Sequence, residues 1–156
     1  MKNKLKPKLS KNINMTGNSV RIAHSPQCYQ SNFFRWCISE DFIDYEHEVY
    51  GWNRIKLHEF CKESGILFKF LEFSKKKWGE CEKIAGSKRH KSWHPIEYDG
   101  FQGKDRRYLE KKYGDKISVF YQISLSGRER IIGYKDIDIF YPIWYDENHE
   151  VLPTKK

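Results

Sequence analysis

No stretch of this chain stays apolar for the roughly 18 residues a membrane-spanning helix needs, and its Lys-rich opening is not followed by the apolar core of a secretory signal. A membrane-spanning or secreted protein is therefore not expected. Cysteine is scarce: Cys28, Cys37, Cys61 and Cys81 stand 9, 24 and 20 residues apart with no Cys-x-x-Cys pair, which excludes zinc-ribbon and thioredoxin-type motifs. Reduced thiols in a cytoplasm are the expectation. His58-x-x-Cys61 has a spacing that suits two metal ligands on a helix, or equally two residues on one amphipathic face. No cofactor is expected. Acidic residues are absent before Glu40.

What is present is basic and aromatic. Lys and Arg total 29 against 21 Asp and Glu in 156 residues, a formal charge of +8 that favours polyanionic partners. A mean hydropathy of −0.83 suggests disorder, but 16% Phe, Trp and Tyr is too much apolar surface for a chain that stays unfolded. The charge is local. Residues 1–39 carry +7, 40–74 carry −4, 75–91 carry +5, and 92–156 balance. Residues 1–28 have little to bury and read as a mobile basic tail; the alternatives are a composition effect of a Lys- and Asn-rich coding bias, or an upstream start with Met15 as the real beginning. Residues 29–156 are long enough for one domain.

The aromatic runs NFFRWCIS (32–39) and YEHEVYGW (45–52) suggest a first strand or hairpin. From Arg54, apolar residues recur at three- and four-residue steps as far as Phe73, which predicts an amphipathic helix with Gly65 as its weak point, where it can split. Ser74 is the expected N-cap of a second helix over 75–84. The 86–103 stretch reads as a loop, because Pro95 biases His94 towards extended backbone. Lys104–Lys112 has strong helix formers, with Gly114 as its stop. Three strands follow, over 118–125, 128–135 and 138–145, with a Ser126-Gly127 turn and with Pro142 implying an edge or a bulge. The order is strand, two helices, a short helix and a three-strand meander. It predicts an α+β domain with an antiparallel sheet and helices on one face.

Three groups of residues carry candidate chemistry. Arg128 and Arg130, two apart on a regular strand, would share a face where two guanidinium groups could hold phosphate, with Tyr134 beside them for base stacking. The alternative is a solvated strand balanced by Glu129, Asp136 and Asp138. His94 and His149 could relay protons at neutral pH, with Asp146 near enough in sequence to orient His149; alternatively His94 packs beside Trp93 and Pro95, and Asp146 and Asn148 cap a turn. Lys75, Lys76, Lys77, Arg89 and Lys91, followed by Arg106 and Arg107, suit a nucleic-acid backbone or simply solvate a helix.

The segment FYQISLSGRERIIGYKDIDIFYPIWYDENHEV (120–151), with the two helices before it, resembles the terminal meander of the RelE/ParE-like toxin superfamily. The ending is also similar to that of short bacterial proteins finishing in FYxxWxDxxHxV, for which no activity is implied. The toxin resemblance implies a metal-independent endoribonuclease of ribosome-bound messenger RNA, with a cognate antitoxin protein as partner. In that reading Arg130 matches the middle-strand arginine, Arg128 is its neighbour, and His149 stands where some members place a catalytic His or Tyr. His94 is a further acid or base candidate from position alone. The competing expectation is a non-catalytic nucleic-acid- or protein-binding module.

Overall fold

The computed structural model describes residues 29–83 and 93–152. Its centre is the expected meander: β3 (Phe120–Ser124), β4 (Arg130–Asp136) and β5 (Ile139–Asp146), paired antiparallel. Each strand alternates its side chains across the sheet. Ile123, Ile131 and Phe140 enter one core cluster, while Phe120, Ile132 and Trp144 enter a second on the opposite face. In β5 the alternation is reset by a bulge: Pro142 pairs with Gly133 and Trp144 with Ile132, so Ile143 is the extra residue. The sequence placed an edge or a bulge at Pro142, and it is the bulge that forms. Gly133 is required beside it, because a Cβ there would stand 2.5 Å from the Tyr141 carbonyl and 2.3 Å from the Phe140 ring.

Two further strands complete the order β1-β5-β4-β3-β2. β2 (Trp93–Ile96) pairs antiparallel with β3. It occupies the segment expected to be a loop, and Pro95 is tolerated because the strand lies at the sheet edge. β1 (Arg35–Trp36) pairs parallel with β5 through Arg35–Ile139 and Trp36–Phe140, so the sheet is mixed rather than wholly antiparallel. The second aromatic run, 45–52, forms turns instead of a strand. Its Tyr50 and Trp52 are buried all the same, and the Trp52 indole donates to the Ile143 carbonyl at 2.9 Å.

The long helix divides where Gly65 stands, into α1 (Leu57–Cys61) and α2 (Ile66–Ser74). A Cβ on Gly65 would lie 2.4 Å from the Glu59 carbonyl, so the break depends on glycine. α2 buries Ile66, Phe70 and Phe73 at helical spacing. It runs through Ser74, whose hydroxyl donates back to the Phe70 carbonyl at 2.9 Å, so Ser74 is not the cap of α3 (Trp78–Lys83). That helix is capped instead by Glu80, which accepts the Lys77 amide at 2.7 Å.

α4 (Gly103–Tyr113) presents Asp105, Leu109 and Tyr113 as a buried stripe at four-residue steps. Leu109 and Tyr113 join the cluster of Phe120, Ile132 and Trp144, while Phe70, Phe73 and Trp78 of α2 and α3 join that of Ile123, Ile131 and Phe140. The α+β class stands, but helices cover both faces of the sheet. The second cover was not readable because the polar composition of α4 hides a stripe of only three residues.

Candidate functional site

Among the described residues both sheet faces are covered by a hydrophobic cluster, which leaves neither open for phosphate. Arg130 begins β4 half-buried, and its guanidinium donates to the carbonyls of Ser126, Gly127 and Glu129 at 3.0, 3.3 and 2.9 Å. It holds its own hairpin turn together. Burial pulls its pKa below the usual guanidinium value, against the opposing pull of Asp146. Arg128 lies outside the strand, exposed in the bend before it, so the two arginines do not form a same-strand pair. Tyr134 is tilted against Phe42 at 5.2 Å and stacked on Tyr141 at 6.2 Å, contacts that occupy its ring within the protein.

His94 is not gathered with Arg130 into one centre. His94 pairs with Gln122 across the edge of the sheet, two strands from β4 and therefore roughly 10 Å to the side. His149 stands three residues past β5 with left-handed backbone, φ 61°. Asp146 accepts the amides of Asn148, Glu150 and Val151 at 3.2, 3.0 and 2.9 Å, which makes it the cap of the turn that carries His149. Lys75 and Lys77 are exposed and Lys76 half-buried in the turn between α2 and α3. Arg106 and Arg107 are exposed on α4, and Arg106 pairs with Glu110 at 2.8 Å. Arg89 and Lys91 lie outside the described residues. His58 is exposed and pairs with Glu59 at 3.0 Å, and among the described residues no His, Cys, Asp and Glu group could hold a metal ion.

The fold does assemble a polar site, from residues that sequence reasoning passed over. Asp44 is 1% exposed. One oxygen accepts the Trp144 indole N–H and the other the Lys112 ammonium, each at 2.8 Å. Burial would raise its pKa, but the hydrogen bonds from Lys112, Trp144 and Tyr108 outweigh burial and hold it below the carboxylate range. Lys112 loses some charge stability to burial and regains more from Asp44, so its pKa rises.

Three residues on, the His47 Nδ1 accepts the amides of Val49 and Tyr50 at 3.3 and 3.1 Å, which assigns the ring proton to Nε2. The ring is stacked on Tyr50 at 5.2 Å and lies edge-on to Tyr108 at 4.8 Å, and burial lowers its pKa. Asp105 is buried nearby with Oδ1 unpartnered, and burial raises its pKa. The two aspartates are thus pushed in opposite directions, one held ionised and the other towards its neutral form. The elements that meet here are some 60 residues apart in sequence, and no local motif marks them.

Lys135, on the other side of the sheet, is a second buried charge. Its ammonium has no hydrogen-bond partner and lies 3.2, 4.6 and 5.0 Å from the ring centres of Tyr29, Tyr121 and Trp78. Burial lowers its pKa to about 8, opposed by Glu82. The ring faces favour the charged form.

No protein-family model, curated protein or solved structure matches the chain. Among the described residues no helix is long and apolar enough to cross a membrane.

Proposed function

We propose that the protein is a non-catalytic RNA-binding module whose phosphate contacts come from basic segments flanking an acidic body. One observation carries this reading. All 21 acidic residues fall within 29–83 and 93–152, where they outnumber the 18 Lys and Arg; the other 11 Lys and Arg fall in 1–28, 84–92 and 153–156 without one acid. The described body is therefore net −3 and the remaining segments +11. Salt screens charges beyond about 8 Å, so phosphate would be held locally by those segments.

The test is a mobility shift with single-stranded RNA across a salt series. Affinity should fall steeply with salt, and deletion of residues 1–28, which removes six of the basic residues, should flatten the log–log slope by up to about four. Affinity that is indifferent to salt and to the deletion overturns the proposal.

A second reading, metal-independent RNA cleavage of the RelE kind, is supported by one feature: Arg130 lies opposite Asp146 in the β4–β5 register, and His149 follows in left-handed backbone. Growth arrest on expression, lost with Arg130→Ala or His149→Ala, supports it. Normal growth with intact messenger RNA counts against it.

A further inference from the structure

The 44–49 segment and α4, from Lys104 to Lys112, line a half-open pocket of about 440 Å3. Asp44 and Lys112 line it but neutralise each other at 2.8 Å. The charges left are Glu46 and Glu48 against Lys104, a net of −1, with Asp105 as a further acid that burial pushes towards its neutral form. Asp105 is only 8% exposed, and its Oδ1 has no hydrogen-bond partner. A buried acceptor without a donor costs free energy that a bound N–H group would recover. Beside it, His47 and Tyr108 meet at 86° and form a flat aromatic corner. His47 is fixed in place by the two backbone amides on its Nδ1, so the corner exists before any ligand arrives.

We infer that this pocket binds a small organic cation bearing a primary ammonium or guanidinium group, with Asp105 as its buried counter-charge and Glu46 and Glu48 at the mouth. The cation's N–H groups bond the Asp105 carboxylate, and its alkyl or planar part lies against His47 and Tyr108. Burial, joined by the charge of Asp146, raises the pKa of the Asp105 carboxyl, and an arriving cation pulls it back down and favours the carboxylate. The site lies wholly within the acidic body and does not depend on RNA binding.

Calorimetric titration of the full chain with agmatine and with spermidine tests this, with inorganic phosphate as the probe of opposite charge. Both cations should saturate one site. Asp105→Asn should weaken them roughly ten- to hundred-fold, as expected for a charged hydrogen bond. Glu46→Gln with Glu48→Gln, both on exposed side chains, should weaken them by a smaller factor, and Lys104→Gln should strengthen them. If Asp105→Asn does not fold, the opposite signs of the Glu and Lys variants still decide the matter. Absence of saturable cation binding, cation affinity unchanged by these substitutions, or phosphate binding that Lys104→Gln weakens would each overturn the inference.

Discussion

The two faces of the sheet are built on different chemistry. Under α2 and α3 the core is a stack of rings, with Phe34 within 6.2 Å of Phe70, Phe73, Trp78, Trp93 and Phe140. Its buried charges are Lys135, without a hydrogen-bond partner, and at the margin Asp138, which is paired with Arg35 and Asn32. Under α4 the face mixes Leu109, Tyr113, Phe120, Ile132 and Trp144 with the buried polar groups Asp44, Asp105, Gln122 and Asp146. The first face needs only volume and shape, since regular helices satisfy their own backbone. The second must hold the irregular 39–54 segment, whose backbone groups need partners. Asp44 provides them, its amide donating to the Ile143 carbonyl while its own carbonyl accepts from Trp52, both at 3.1 Å.

Substitutions can break this comparison, beginning with the largest. Trp78→Ala on the aromatic face should cost about 3–5 kcal/mol in urea unfolding, as a fully buried ring leaves a cavity and the Asp138 carbonyl loses its indole donor. Asp44→Ala on the polar face should cost somewhat less, about 2–4 kcal/mol, because Lys112 is partly exposed and can turn to water. The folded pKa of Asp44 lies below its unfolded value, so its stabilisation is present above the unfolded pKa and lost as pH falls through the folded one. Acid titration of stability should therefore be flatter below pH ~4 in Asp44→Asn than in the parent.

Lys135→Met should reverse the sign and stabilise the protein at neutral pH by up to ~3 kcal/mol, reduced by whatever the ring faces contribute to the ammonium. A folded pKa of about 8 against an ordinary 10.5 means the unfolded chain binds more protons between those values. Parent stability should rise with pH across that window, and the Met variant should show no such rise. An identical slope in both would remove Lys135 as a buried charge of that face. The smallest effect separates the two arginines: Arg130→Ala should cost about 1 kcal/mol by freeing three turn carbonyls, whereas Arg128→Ala should leave thermal unfolding unchanged.

Much of the fold was legible where the periodicity was local. The meander strands, the division at Gly65, the bulge at Pro142 and the helix after Gly103 all follow from side chains within a few residues of one another. Trp93–Ile96 was not, because Pro95 argues against a strand until an edge position makes its missing N–H harmless. The 45–52 run was misread for the opposite reason. Its aromatics look like a strand, but the backbone runs in turns that leave Tyr45 exposed and bury Tyr50 and Trp52 in different core clusters. Of the candidate site residues, Arg128, Arg130, Tyr134, His94 and His149 were chosen by type and spacing, and the fold gives Arg130 and Tyr134 partners within the chain. Asp44, His47 and Asp105 carried no such signal. The raw materials, an acid, a His and an Asp opening a helix, are too common to single out.

By itself the sequence determined the class of fold, the order of the main helices and the meander strands, and the concentration of net positive charge in residues 1–39 and 75–91, because each depends on composition or on neighbours along the chain. Only the tertiary structure decided that both sheet faces are covered, that Arg130 turns inward to its own hairpin, and that Asp44, His47, Asp105 and Lys112 converge. Those outcomes depend on which face of each strand meets which helix. That pairing is set by burial between residues a hundred or more positions apart, as in the bond from Trp144 to Asp44.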